Sequence, residues 1–208
     1  MTKVEEKSFD IVHHTQSIYR HVLDSMARPG KVNSLENALV SIEDIPGLSK
    51  PLLGLAYTLI DREVNFRVIA NQHSSVEKHI VRKTFGVLTH KNSADYLLIE
   101  KPLTPVEIMN VIEECKIGTL EDPHASTTIL MTVDSISSDE EEGQHLTLKG
   151  PGIQTERSIY VRGLSLEWLL YRKKLNREFP LGIDMILVSR DGHVVSFPRT
   201  TIIESEGM

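Results

Sequence analysis

Residues 179–201, FPLGIDMILVSRDGHVVSFPRTT, decide the fold of this 208-residue chain. Ile183, Met185 and Leu187 alternate with Asp184, Ile186 and Val188, a mostly apolar strand of about the usual five or six residues. Asp191-Gly192 supplies the backbone freedom of a tight hairpin turn. Val194, Val195 and Phe197 return as a second strand. Whether this hairpin lies inside its sheet or at the edge stays open at this level. At its end stand Pro198, Arg199, Thr200 and Thr201: a stiff residue, a guanidinium and two hydroxyls. These donors suit a phosphate or a carboxylate. A capped sheet edge with a surface arginine fits the same residues and is favoured on physics alone.

Outward from the hairpin, helix and strand patterns interleave. Over Phe9 to Ala27 the residues Phe9, Val12, Gln16, Tyr19, Val22, Leu23 and Met26 repeat at three- and four-residue steps, and the stretch reads as an amphipathic helix. Tyr19, Met26 and Trp168 are expected in the core, and His14 and His21 at the surface or an interface. Arg28-Pro29-Gly30 ends that helix. Leu48–Ile60 reads as a second helix, with Pro51 in its first turn. Val64, Phe66 and Val68 mark a half-buried strand. A helix follows from Ser74 or Ser75 to Thr84, then a strand over Tyr96–Ile99. Thr104 and Glu107 form a capping-box pattern ahead of a helix over Pro105–Glu114. Thr127–Val133 and His145–Leu148 read as strands that pair across the acidic loop from Asp139, and Ser165–Glu178 as a helix. The expectation is one α/β domain over residues 1–208 built on a single mixed sheet, with a C-terminal β-hairpin and a flexible tail over residues 1–8.

Composition bounds the function. A net charge of -6, from 23 Lys+Arg against 29 Asp+Glu, argues against duplex nucleic acid as the main partner. The single Cys115 forbids an internal disulfide, fits a reducing compartment and cannot hold an iron–sulfur cluster. No apolar run approaches the roughly 18 residues of a membrane span, and MTKVEEKSFD is not a signal peptide. A cytoplasmic protein is expected. No two histidines stand three or four residues apart, so no metal site is expected. A nucleophile elbow, a P-loop and a dinucleotide fingerprint are all missing from the sequence.

Three constellations remain. Glu121-Asp122-Pro123-His124 places a carboxylate beside an imidazole, so Asp122 and His124 are acid–base candidates. The blander alternative, a polar turn, is favoured because neighbours in a loop rarely converge on one point. Lys149-Gly150-Pro151-Gly152 follows a strand. Its glycines would let backbone amides approach an anion, and Lys149 could in principle form a Schiff base; a strand-to-loop turn is the alternative. Arg28 stands at a helix C-terminus, where it can satisfy the last carbonyls as readily as grip a ligand.

The order and spacing of several landmarks, from Phe9 to Glu204, resemble the H-subunit family of the bacterial carbon–phosphorus lyase system, which degrades phosphonates. The landmarks are Gln16 with Tyr19-Arg20, Met26 with Pro29-Gly30, Leu59 with Asp61, Gly118-Thr119, Pro123, and Thr127–Leu130. Leu148 with Gly150–Ile153, Phe179–Asp184 and Pro198–Thr201 complete the set. The resemblance implies a three-layer mixed-sheet fold similar to the large domain of pyridoxal-phosphate transferases, without that cofactor. It implies a homodimer in isolation and partnership with the G, I, J and L subunits. The assembled machinery replaces the adenine of ATP by an alkylphosphonate, giving ribose 1-alkylphosphonate 5-triphosphate. The resemblance attributes the nucleosidase-like step to the I subunit and carbon–phosphorus cleavage to the iron–sulfur J subunit. Relatives carry Pro-Glu where this chain has Pro123-His124, which weakens a catalytic role there.

Two roles follow. An assembly subunit would bury surface against its partners and supply few or no reacting groups. A ligand-binding subunit would use Arg28, Gly150, Gly152, Asp184, Arg199 and Thr200 to line a cleft for phosphonate or triphosphate. A stand-alone pyridoxal-phosphate enzyme is the remote third reading. The assembly role is the expected one for the chemistry.

Overall fold

The computed structural model describes residues 10–139 and 143–205. The tail expected over residues 1–8, and the acidic loop beyond Asp139, lie outside them. The chain runs α1 (Ile11–Ala27), β1 (Asn33–Ser34), α2 (Glu36–Leu39), α3 (Lys50–Leu59), β2 (Asn65–Ile69), α4 (His73–Thr84) and β3 (Val87–Leu88). It continues β4 (Tyr96–Ile99), α5 (Pro105–Glu114), β5 (Thr128–Val133), β6 (Ser135–Ser137), β7 (Gln144–Lys149) and β8 (Arg157–Arg162). It closes with α6 (Leu166–Leu175), β9 (Asp184–Ser189), β10 (His193–Phe197) and β11 (Ile202–Ser205).

The main sheet is mixed, in the order β1-β10-β9-β5-β4-β2-β3. The five strands from β9 to β3 are parallel, and β10 and β1 are antiparallel additions. The hairpin is therefore interior: β9 pairs with β5 on one side and β10 on the other. Its apolar run is explained by burial on both faces. Met185 and Leu187 join one core cluster with Ile129, Met131, Leu97 and Ile99. Ile186 and Val188 join the other with Leu130 and Leu98. Helices α1 to α4 supply the second cluster, and α5 and α6 the first.

The expectation of a single sheet is corrected. A separate antiparallel sheet, β11-β7-β8-β6, packs its inner face into the α5/α6 cluster through Leu146, Leu148, Ile159, Val161 and Ile203. β5 and β7 do not pair; they belong to different sheets. The physical difference is visible in their patterns. β5 is apolar on both faces, whereas β7 alternates buried leucines with partly exposed His145, Thr147 and Lys149, the mark of a strand covered on one side.

Local signals set the helix ends. Asp10 caps α1, its Oδ1 accepting from the amides of Val12 (2.9 Å) and His13 (3.1 Å). The Thr104–Glu107 capping box is formed. Helix α6 stops at Leu175, short of the expected Glu178. The Asn176 side chain instead accepts from Ile183 N (2.8 Å) and donates to Ile183 O (2.9 Å), fastening the helix end to the start of β9.

Helix α1 also carries a correction. It buries Ile18, Val22 and Ser25, with the Ser25 hydroxyl 2.5 Å from that of Ser196 on β10. That short contact lets helix and sheet approach closely. It turns Val12, Tyr19 and Leu23 outward, at 68%, 51% and 54% exposure, so Tyr19 is not a core residue. Trp168 is buried as expected.

Candidate functional site

The turn after β10 is held from several sides by Arg199. Its Nη2 donates to Asp184 Oδ2 (2.6 Å) and Ser126 Oγ (2.5 Å). Nη1 donates to the carbonyls of Pro123 (2.6 Å) and Pro180 (3.4 Å), and Nε to Asp184 Oδ1 (3.4 Å). A guanidinium has five N–H donors, and these five bonds use them all. Arg199 thus joins the 118–126 loop, the start of β9 and the 198–201 turn. In this arrangement it has no donor left for a ligand.

The glycines serve the same junction. Gly150 has φ +135, and a Cβ there would stand 2.9 Å from the carbonyl oxygen of Thr200. Gly152 has φ +83, and a Cβ would stand 2.3 Å from the carbonyl oxygen of Ala27, at the end of α1. Arg28 does not join them with its charge. Its guanidinium pairs with Asp24, which also holds Lys31 (2.7 Å) and the Asn33 amide (3.0 Å). Only the Arg28 carbonyl faces the junction, accepting from Arg157 Nη1 at 3.3 Å. Asp122 and His124 are exposed on the loop that Arg199 clasps by its backbone. Lys149 is partly exposed, beside Glu204 (2.9 Å) and Glu156 (3.9 Å). The hydrogen bond to Glu204 is the main influence raising its pKa, the reverse of what an amine nucleophile needs.

Beside this junction lies a cavity of about 540 Å³ between α6, the 198–201 turn and β11. Arg199, Thr200 and Pro151 reach its wall, so the structure does bring three of the sequence motifs' residues to one place. Its floor holds a residue the sequence reading missed, Arg172 of α6, only 3% exposed. Arg172 donates to the carbonyls of Thr201 (3.1 Å), Phe197 (3.3 Å) and Pro198 (2.5 Å). Burial lowers its pKa to about 10, so it stays charged at neutral pH. A signal was present: Arg172 stands three and four residues after Leu169 and Trp168, on the buried face of the helix.

Parallel sheets also offer a crevice where the chain reverses direction across the sheet, here at the ends of β2 and β4. A cavity of about 310 Å³ lies there, lined by Arg67, Lys91 and Lys101 among others. Each of these cations is paired, with Glu77 (3.4 Å), Glu114 (2.7 Å) and Glu107 (3.5 Å) respectively. Nearby, Glu100 Oε2 accepts from Ser49 N (3.1 Å), Ser49 Oγ (2.8 Å) and Thr132 Oγ1 (2.7 Å). Those bonds lock α3 onto the strand ends. Among the described residues, no three His, Cys, Asp or Glu side chains gather as a metal site, and no helix is long and apolar enough to cross a membrane.

Comparison with known proteins places these features in a family. The model of the family described as bacterial phosphonate metabolism protein (PhnH) matches residues 7–204. A protein of Rhizobium meliloti (strain 1021), named alpha-D-ribose 1-methylphosphonate 5-triphosphate synthase subunit PhnH, is 31% identical over 95% of this chain and 94% of its own length. A protein of Stutzerimonas stutzeri that carries the name C-P lyase subunit protein HtxG is 30% identical over 92% of this chain and 87% of its own.

Proposed function

The chain belongs to the PhnH family of bacterial phosphonate metabolism proteins, and from that premise we propose that it is an assembly subunit of a ribose 1-methylphosphonate 5-triphosphate synthase. In this reading it works in the cytoplasm with the G, I and L subunits, and with J in the larger lyase core. The complex consumes ATP and alkylphosphonate, while this chain supplies architecture rather than reacting groups. A homodimer in isolation, and a kinship of the main sheet with pyridoxal-phosphate transferases without their cofactor, belong to the same reading.

The observation that carries it is the internal engagement of Arg199. The residues that read as a phosphate grip, Arg199, Asp184, Gly150 and Gly152, are spent on holding three loops together. The outward apolar stripe of α1, with Val12, Tyr19 and Leu23, adds the kind of surface that a partner covers.

The test is reconstitution with the G, I and L partners, ATP and methylphosphonate, scored by adenine release, with co-purification as the measure of assembly. Wild type restores release and omission of this chain abolishes it. Arg199→Ala loses assembly and release together. Full activity without the chain overturns its place in the synthase. An Arg199→Ala complex that assembles normally yet releases no adenine overturns the architectural role in favour of direct ligand contact.

A further inference from the structure

We propose that the cavity between α6, the 198–201 turn and β11 binds a small organic oxyanion, with a phosphoryl, phosphonyl or carboxyl head on a short apolar tail. The proposal is independent of the assembly role, because it is read on the isolated chain.

Charge is the first argument. Among the described residues, Arg172, Lys173 and Arg199 line the cavity, and no carboxylate does. Asp184 lies close enough to favour the charged form of Arg172, but its oxygens are already taken by Arg199. One carboxylate thus serves two buried or half-buried guanidiniums, and a positive charge is left over. Among the described residues no acidic side chain forms an ion pair with Arg172. A buried ion without a counter-charge is costly, and an anion in the cavity would relieve that cost.

Unused hydrogen-bonding capacity is the second argument. Arg172 Nε and Thr201 Oγ1 are both buried and have no hydrogen-bond partner among the described residues, whereas buried polar groups are nearly always paired. Both residues border the same cavity. An oxyanion head accepts from both a guanidinium and a hydroxyl.

The walls specify the remainder of the ligand. Leu169, Phe179, Ile202 and Ile203 surround the cationic floor, and Phe179 and Ile202 are exposed at the rim. About 540 Å³ is ample for a head group with a phenyl-sized tail. Free inorganic phosphate would use the floor and waste the walls.

Calorimetric titration of the full chain with phenylphosphonate, phenyl phosphate, benzoate and inorganic phosphate tests this. Saturable binding is expected for at least one phenyl ligand, about tenfold tighter than for inorganic phosphate, and the three phenyl arms identify the preferred head. Lys173→Glu, a change at an exposed position, is expected to weaken binding about tenfold, the loss of one charge-assisted contact. Arg172→Met is expected to abolish it, with circular dichroism confirming the fold. No saturable binding of any phenyl ligand at millimolar concentration overturns the proposal, as does binding unaffected by Lys173→Glu. Equal affinity for inorganic phosphate and phenylphosphonate overturns the organic part of it.

Discussion

Arg199 and Asp184 face each other as a two-pronged ion pair, with Nη2 2.6 Å from Oδ2 and Nε 3.4 Å from Oδ1. The backbone N–H of Arg199 donates to that same Oδ1 at 2.6 Å. Asp184 therefore fixes both the side chain and the main chain of Arg199, and so sets the path of the turn that separates the two sheets. The side chains are 15% and 13% exposed. Removing one partner strands the other charge in poor solvent, a loss of about 3–5 kcal/mol. Arg199→Ala and Asp184→Asn are each expected to cost that much in urea denaturation, and the double variant clearly less than their sum. Additive losses would show that the pair does not act as a unit.

Gly152 is the tightest point of the loop junction. Its φ is positive, and a Cβ there would stand 2.3 Å from the Ala27 carbonyl oxygen, a backbone atom that cannot swing aside as a flexible side chain can. Gly152→Ala must push the 150–153 loop away from the end of α1. The expected cost is roughly 2–3 kcal/mol, seen as a drop of several degrees in Tm. A Tm unchanged by the substitution would mean that the loop moves freely there.

How much of this was legible beforehand depends on how far each signal reaches along the chain. The Thr104–Glu107 capping box, the helix it starts, and β4 follow from neighbours in sequence, and the bounds agree. The hairpin was legible as a hairpin from Asp191-Gly192, but its interior place depends on β5 and β1, which lie far off in sequence. β8 and β11 escaped for the same reason: each is short, and only pairing with β7 makes it a strand. On α1 both faces carry apolar residues, so periodicity could not choose between them; the Ser25–Ser196 contact decides. Arg172 was hidden in the run Arg172-Lys173-Lys174, which reads as solvated charge until the helix phase is known. The motif of Arg199 was legible, but not its purpose, since the acceptors lie at Pro123, Ser126, Pro180 and Asp184.

Cys115 is expected to be chemically silent in the folded chain. Burial pushes its thiol up to about 12, and its Sγ lies 3.2 Å from the Val111 carbonyl. The thiolate is the reactive species, and almost none forms near neutral pH. Titration with a disulfide reagent at about pH 8 should find no reactive thiol in the native protein and one after denaturation. Rapid native reaction would mean that the end of α5 opens readily.

Asp95 gives the fold an acid-sensitive joint. It stands just before β4, and its Oδ2 accepts from Asn65 N (2.7 Å) and Asn65 Nδ2 (3.3 Å), while Oδ1 pairs with Lys116. Burial alone would raise its pKa. The bonds from Lys116 and from the Asn65 amide outweigh it and hold the carboxyl below its ordinary 3.8. Because the folded pKa lies under the unfolded one, the unfolded chain takes up this proton first as pH falls. The contribution of Asp95 is thus complete above about pH 4 and is lost as pH drops through the folded value. Asp95→Asn should lower the urea midpoint at neutral pH and flatten its decline in acid, so that the two proteins converge once the folded Asp95 is protonated. Parallel declines at a constant offset would show that this carboxylate is not what acid removes.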